Sequence, residues 1–192
     1  MSLSPMGLSP VPSLSGVPVL ETERLILRAP QASDWPGFHA MQQSDRARFL
    51  RTGDYDLSNT WRSFGHMIGH WVLQGFGMFV WQAKGDATPL GMTGPWFPAT
   101  WPEREIGWAV WEPSVEGKGL AFEAATAVRR FAFDVLGWET AVSYVMPENT
   151  RSRALAERLG AVIDPQAQSL GTPPCLVYRH PAPIRRNPEA QS

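Results

Sequence analysis

Apolar residues alternate with smaller or polar ones in the segment EIGWAVWE, residues 105–112. Ile106, Trp108 and Val110 set this period of two, which predicts a β-strand that ends before the proline that follows. Beyond a stretch that contains two glycines, apolar residues return at spacings of three and four. This spacing predicts a helix over residues 119–136, marked by Leu120, Ala124, Val128, Phe131 and Val135.

Shorter apolar runs on either side predict the remaining elements. Strands are expected at residues 24–28, 76–84, 90–97, 140–146 and 176–179. Helices are expected after the capping residues Ser33 or Asp34, Ser58 and Asn149. Short turns join the second and third of these strands to the one that begins at Glu105, which predicts an antiparallel meander. The pattern therefore indicates a mixed α+β domain with a largely antiparallel sheet.

Composition narrows the class of protein. The chain has 192 residues, 43% hydrophobic and 18% charged, which is enough for one core and one domain over residues 19–181. Residues 1–18 are rich in Ser, Pro and Gly and are expected to form a flexible lead-in, and residues 182–192 a flexible tail. A net charge of −1 with scattered Lys and Arg argues against nucleic acid as a partner, and no apolar run is long enough to span a membrane.

Cysteine and histidine usage favours a cytoplasmic protein without a metal centre. Cys175 is the single cysteine, so an internal disulfide cannot form, and no signal-peptide pattern precedes the domain. His66 and His70 share a helix face, but the sequence offers no third metal ligand near them. We therefore expect a reducing, cytoplasmic location and no metal.

Two glycines, Gly117 and Gly119, stand where the central strand gives way to the helix. Glycines let a backbone approach a ligand closely, and the first N–H groups of a helix have no intrahelical partner and carry its positive dipole end. This combination is typical of a phosphate site. The alternative is an ordinary strand-to-helix connection that needs glycines for its turn.

Five segments, in this order along the chain, carry a resemblance to a known family: LETERLILRAP (20–30), LGMTG (90–94), EIGWAV (105–110), EGKGLAFEA (116–124) and PENTRSRALAERLGA (147–161). Together they resemble the GNAT superfamily of acetyl-CoA-dependent N-acetyltransferases, in particular the branch similar to the ribosomal-protein N-terminal acetyltransferases RimJ and RimL. The resemblance covers about residues 20–180. It implies a central, mostly antiparallel, twisted sheet of about six or seven strands, flanked by helices and splayed at the central strand to admit coenzyme A.

The resemblance also implies an acetyl-CoA site. In the family, a Gln/Arg-x-x-Gly-x-Gly/Ala loop holds the coenzyme's pyrophosphate on main-chain N–H groups, and the matching residues here are Glu116, Gly117, Lys118, Gly119, Leu120 and Ala121. Glu116 departs from the pattern, because a carboxylate replaces a basic or amide side chain. The main chain of Val110 and Trp111 would pair with the pantetheine arm, and an N–H there can stabilise the oxyanion. Asn149 matches the family's pantetheine-binding asparagine and Ser152 the serine that follows it, although this pair can also be a helix cap.

Catalysis requires that the amine loses a proton and that the departing thiolate gains one. Glu105, at the start of the central strand, is the carboxylate expected to act as the base, directly or through water; an ion pair with Arg104 is its alternative role. Many superfamily members place a tyrosine four residues before the glycine that ends the last helix, but Ala156 stands there in this chain. Ser152 is the expected substitute as proton donor.

A weak base favours an acceptor amine that is already partly neutral. An α-amino group has a pKa of about 7.8, against about 10.4 for lysine, so a protein or peptide N-terminus is the expected acceptor. Trp96, Phe97 and Trp101 can line an apolar acceptor pocket, or instead lie in the core or in a homodimer interface. Three functions stay open: an N-acetyltransferase of protein N-termini or of a small amine, a coenzyme A-binding module without turnover, and an assembly protein with an aromatic surface.

Overall fold

The computed structural model describes residues 13–50, 56–171 and 174–182 of the chain. Its strands are β1 (Leu20–Glu21), β2 (Leu25–Arg28), β3 (Phe79–Ala83), β4 (Gly91–Trp96), β5 (Glu105–Val110), β6 (Val142–Val145), β7 (Val162–Ile163) and β8 (Leu176–Arg179). Its α-helices are α1 (Trp35–Gln42), α2 (Leu57–Gln74), α3 (Leu120–Arg130) and α4 (Thr150–Arg158). Short 3-10 turns lie at Ala32–Asp34, Asp45–Phe49 and Pro113–Val115.

The strands form one eight-stranded sheet with the order β1-β2-β3-β4-β5-β6-β8-β7. Neighbouring strands are antiparallel except β5 and β6, which are parallel. The predicted mixed fold with a mostly antiparallel sheet, including the meander β3-β4-β5, is confirmed. The sheet exceeds the expected six or seven strands because β1 and β7 add short strands of two residues each at its edges.

The sheet is the middle of three layers, because β5 directs alternate side chains to its two faces. On one face, Ile106 is buried in a core cluster that also contains Ala124 of α3. On the other face, Ala109 lies in a second cluster with Phe38 of α1 and Phe64 of α2. Helix α3 therefore covers one side of the sheet, and α1 and α2 cover the other.

Strands β5 and β6 are neighbours only at their first residues. Glu105 and Val142 are the one residue pair between them, whereas β5 pairs with β4 along its whole length. Strand β6 pairs over its full length with β8, on its other side. The two parallel strands diverge beyond Glu105, so that a gap opens in the sheet towards Val110.

Two helix boundaries differ from those expected. Asp56, rather than Ser58, caps α2, because its side chain accepts a hydrogen bond of 2.7 Å from the N–H of Asn59. Helix α3 ends at Arg130, and the chain continues as a π-helical turn at Phe131–Val135, whose aromatic side chains are buried.

Two apolar side chains of the expected lead-in contact the folded domain. Leu14 and Val17 pack against the core cluster that contains Ile106, because even a Ser- and Pro-rich segment can bury its apolar side chains. Residues 1–12 of the predicted lead-in and 183–192 of the predicted tail lie outside the described residues. Within the described ranges, none of the helices combines the length and the apolar character needed to cross a membrane.

Candidate active site

A cavity of about 970 Å³ lies beside the gap between β5 and β6. Four segments border it: the end of β5, the loop and first turn of α3, the start of α4, and the turn at Asp45–Phe49. Its volume is at the upper end of the range typical of small-molecule sites. The divergence of the two strands therefore leaves space for a large ligand next to Val110.

Two glycines shape the loop that precedes α3. Gly117 and Gly119 have φ angles of 72° and 78°, in the left-handed region where a side chain would be strained. Gly119 is the N-cap of α3, so the positive end of the helix dipole borders the cavity. Of the six loop residues predicted to bind coenzyme A, Lys118 alone is not among those that line the cavity. The loop provides what a phosphate site needs through its main chain.

Glu116, the residue that departs from the family pattern, does not carry an isolated negative charge. Its carboxylate forms ion pairs of 2.5 Å with Arg46 and 2.8 Å with Arg151. Arg46 belongs to the turn at Asp45–Phe49 and Arg151 to α4. The three side chains therefore connect three of the four segments around the cavity.

The main chain of Val110 faces the gap, but that of Trp111 does not. Arg46 donates a hydrogen bond of 3.3 Å from Nε to the Val110 carbonyl. The N–H of Trp111 donates to the Leu90 carbonyl at 2.8 Å, on the opposite side of the strand. The predicted role of this N–H in binding the pantetheine arm is therefore corrected, because it is already paired. Since main-chain groups alternate in direction along a strand, Trp108 joins Val110 in facing the gap.

The start of α4 contributes Asn149 and Ser152 to the cavity wall. Asn149 is the N-cap, and its side-chain oxygen accepts a hydrogen bond of 3.1 Å from the N–H of Ser152. Capping is thus one role of Asn149, as expected from the sequence. The Ser152 hydroxyl accepts a hydrogen bond of 3.2 Å from the indole Nε1 of Trp108, so its own proton can be donated elsewhere.

Glu105 lies where the gap begins, and the residue is half-buried. Trp101 donates a hydrogen bond of 2.6 Å from Nε1 to Oε2, and the N–H of Tyr144 on β6 also donates to the carboxylate. Burial raises the pKa of Glu105 to about 7, and the two hydrogen bonds offset this effect only in part. Arg104 is not its partner, since its guanidinium lies over the ring of Trp138, 5.5 Å from the centroid. A carboxyl group with a pKa near neutrality can act as a general base.

Aromatic residues lie on the same side of the sheet as Glu105. Trp96 is directly opposite Glu105 in the register of β4 and β5, and its ring stacks on His70 of α2 at a centroid distance of 4.2 Å. The N–H of Phe97 donates to His70 Nε2 at 3.0 Å, so Nδ1 carries the proton and donates to the Phe76 carbonyl at 2.7 Å. Burial lowers the pKa of His70, in agreement with a neutral ring. His70 therefore fixes the segment that follows β4.

Arg46, Trp108 and His70 were not recognised as site residues from the sequence. No local motif marks them, and His70 stood out only as a neighbour of His66 on a helix face. Both ring nitrogens of His70 bond to the main chain, so this pair does not provide a metal site. Across the part of the chain that the structure describes, no group of three or more His, Cys, Asp or Glu side chains could hold a metal.

The fold, the gap and the loop agree with a family profile. The profile described as acetyltransferase (GNAT) domain matches residues 24–162, so the chain belongs to the GNAT acetyltransferase family. It is an N-acetyltransferase, and enzymes of this family use acetyl-CoA as the acetyl donor.

Three solved structures illustrate its relatives. An acetyltransferase from Agrobacterium tumefaciens is 37% identical, with a TM-score of 0.80 over 90% of this chain and 99% of that chain. A ribosomal-protein-alanine acetyltransferase from Vibrio fischeri is 14% identical, with a TM-score of 0.67 over 88% and 99% of the two chains. The ribosomal-protein α-N-acetyltransferase RimL is 18% identical, with a TM-score of 0.67 over 88% and 98%. The last two share the fold, and the RimJ/RimL branch stays a prediction.

Proposed function

We propose that this enzyme transfers the acetyl group of acetyl-CoA directly to a primary amine, and that the acceptor is the α-amino group of a protein or peptide N-terminus. The observation that carries the proposal is the half-buried carboxyl group of Glu105, with a pKa raised to about 7, at the closed end of the gap. The vicinity of Trp101 and Trp96 gives this base an aromatic, partly enclosed surrounding.

The pKa of Glu105 suits an α-amine better than a lysine. Proton transfer to a base with a pKa of about 7 costs about 1 kcal/mol from an α-ammonium group, and about 4.6 kcal/mol from an unperturbed lysine ammonium group. The difference of about 3.5 kcal/mol corresponds to a factor of several hundred in the population of the neutral amine. A site that did not lower the pKa of its substrate would therefore favour N-termini.

The donor side of the cavity fits acetyl-CoA. The N-terminus of α3 with Gly117 and Gly119 can hold the pyrophosphate, and the main chain of Val110 can pair with the pantetheine arm. An arm that followed β5 from Val110 towards its first residue would bring the thioester to Glu105. Asn149 borders the same path.

Each residue then has a defined task in the transfer. Glu105 accepts a proton from the amine, whose lone pair forms the new C–N bond at the thioester carbonyl carbon. The N–H of Trp108, which faces the gap between Val110 and Glu105, stabilises the negative charge that develops on the carbonyl oxygen. As the C–S bond breaks, the nitrogen releases its second proton to water, and the Ser152 hydroxyl donates its proton to the departing sulfur and regains one from water.

Two proteins of the same fold, RimL and the Vibrio fischeri enzyme, are named for acetylation of ribosomal proteins, which is consistent with a protein N-terminus as acceptor. A small aromatic or apolar amine is the second candidate, because Trp96 and Trp101 lie beside the base. We also propose a cytoplasmic location, in keeping with the free thiol of Cys175.

Thiol release from acetyl-CoA at pH 7 tests the acceptor class. One peptide has a free N-terminus and no lysine, its matched partner has an acetylated N-terminus and one internal lysine, and a small aromatic amine is the third acceptor. We expect the free N-terminus to react at least about tenfold faster than the lysine peptide, because its amine is more often neutral. Turnover confined to the lysine peptide or to the small amine would refute the N-terminal assignment, and coenzyme A binding without any turnover would refute the transferase mechanism.

A further inference from the structure

Glu116 joins two arginines at the entrance of the coenzyme cavity. Arg46 donates to its carboxylate from Nη2 at 2.5 Å, and Nη1 of Arg151 lies 2.9 and 2.8 Å from its two oxygens. Arg46 also donates from Nε to the carbonyl of Val110 at 3.3 Å. A single acidic side chain therefore fixes the position of two guanidinium groups beside the loop that contains Gly117 and Gly119.

The three side chains together carry a charge of +1, the same as one basic residue at the family's loop position. The Arg46 side chain is 17% exposed and that of Glu116 30%, whereas that of Arg151 is 80% exposed. An exposed ion pair is weak and a partly enclosed one is stronger, so Arg46 is the more firmly held of the two arginines. A guanidinium has five N–H donors, so Arg46 can keep its bond to Glu116 and bind a further anion at the same time.

We infer that Glu116 positions Arg46 and Arg151 as ligands for the phosphates of coenzyme A, and that these arginines replace the basic side chain which the loop lacks. The inference rests on the proposed binding of acetyl-CoA in this cavity. Guanidinium groups bind phosphate oxygens through paired, charge-assisted hydrogen bonds. When the pantetheine arm forms a hydrogen bond with the Val110 carbonyl, Arg46 loses its own bond to that carbonyl. The ion pair with Glu116 then keeps the Arg46 side chain at the cavity.

This role makes an unusual prediction about charge. If Glu116 were only a negative charge near the phosphates, its removal would strengthen binding of an anionic coenzyme. If Glu116 holds the arginines, its removal weakens binding, because both guanidinium groups lose their fixed position. Glu148 is a matched control, since it also borders the cavity but forms no ion pair with any described residue.

The test is calorimetric titration of coenzyme A into the full-length protein and its variants. Arg46→Ala should weaken binding about tenfold or more, the range for a hydrogen bond to a charged group. Glu116→Ala should weaken binding about threefold to tenfold, and Glu148→Gln should bind at least as tightly as the wild type. In the double variant Arg46→Ala/Arg151→Ala, the further change Glu116→Ala should no longer weaken binding, because Glu116 acts through these arginines.

Melting curves without ligand show whether each variant is folded. If Glu116→Ala is not folded, Glu116→Gln replaces it, because glutamine keeps an acceptor oxygen. Binding by the Glu116 variant that is as tight as in the wild type, or tighter, would overturn the inference. The inference would also be overturned if Glu116→Ala weakened coenzyme A binding as much in the double variant Arg46→Ala/Arg151→Ala as in the wild type. A wild-type protein that does not bind coenzyme A would overturn the proposed function as well, which distinguishes the two failures.

Discussion

The raised pKa of Glu105 predicts that Glu105→Gln stabilises the protein at high pH and not at low pH. The usual pKa of a glutamate is 4.5, and burial raises that of Glu105 to about 7, so the folded chain binds this proton more tightly than the unfolded chain. The favourable effect of this proton on stability is complete below pH 4.5 and is lost as the pH rises through 7. Above pH 7 the folded state holds a half-buried charge that glutamine would not introduce.

The size of the effect follows from the two pKa values. A difference between 4.5 and about 7 corresponds to about 3 kcal/mol of stability when the group is ionised in both states. At pH 5 the remaining penalty is below about 1 kcal/mol, because the folded protein keeps the proton. A glutamine oxygen can still accept from Trp101, but its NH₂ group cannot accept the N–H of Tyr144, which costs about 1 kcal/mol at either pH. We therefore expect a net stabilisation of about 2 kcal/mol at pH 8 and none at pH 5.

Urea denaturation of the wild type and Glu105→Gln at pH 5 and pH 8 measures this difference. The decisive quantity is the change in unfolding free energy between the two pH values, which is about 2 kcal/mol in favour of the variant at pH 8. Glu139→Gln is the control variant, because Glu139 is exposed and its replacement measures the effect of losing a surface carboxylate. A Glu105 variant with the same pH dependence as the wild type would show that the pKa of Glu105 is not raised in the folded protein.

The same substitution tests catalysis. Without a proton acceptor, turnover of an amine at pH 7 should fall about 100-fold or more, while coenzyme A affinity is kept. The wild-type rate should decrease as the pH is lowered through about 7, because Glu105 becomes protonated. The variant should regain activity at a pH where the amine is neutral in solution. An unchanged rate at pH 7 would exclude Glu105 as the base, and a loss of coenzyme A affinity would indicate a structural role.

Three further substitutions test other parts of the site. Ser152→Ala should lower kcat about tenfold or more in steady-state kinetics, without a matching loss of coenzyme A affinity, and an unchanged kcat would remove Ser152 as proton donor. Gly119→Ala places a methyl group at a φ of 78° and should lower the melting temperature by about 2–8 °C. Gly69→Ala is the control, because a methyl group at this position in α2 meets open space and should not lower the melting temperature. Equal melting temperatures of the two variants would contradict the strain argument. His70→Ala removes the acceptor of the Phe97 N–H, so the KM for the amine should rise more than that for acetyl-CoA, and equal changes would contradict a role in acceptor binding.

Elements with a strong local signal could be predicted from the sequence. The alternation in β5 and the glycines before α3 placed both elements, and β8 lies at the predicted residues, Leu176–Arg179. Asn149 caps α4 because a capping side chain bonds to an N–H only three residues further along. Local signals failed where two of them competed. Asp56 and Ser58 are both good caps, and propensity alone cannot rank them.

The chemistry of the site depends instead on contacts between distant segments. Glu105 could be named from its place in the central strand, but its pKa follows from burial, and the donor on Tyr144 comes from another strand. From the sequence, the negative charge of Glu116 is unfavourable for phosphate binding. Its partners Arg46 and Arg151 are 70 and 35 residues away in the sequence, so no local pattern reveals them. The direction of the Trp111 N–H depends on the register of β5 with β4, which hydrophobic alternation does not determine.

The length of β5 separates the base from the phosphate loop. Glu105 begins the strand and Val110 ends it, so about 17 Å of extended chain lies between them. Arg46 contacts both Val110 and Glu116, which places the loop at the far end of the strand. Two unit charges at that distance interact by about 0.2 kcal/mol in water, and salt weakens this further. The phosphates of the coenzyme should therefore leave the pKa of Glu105 close to 7, so that the acidic limbs of kcat and of kcat/KM for acetyl-CoA fall at the same pH. A separation of the two limbs by more than about one pH unit would mean that the bound coenzyme changes the surroundings of the base itself, through burial by the pantetheine arm rather than through phosphate charge.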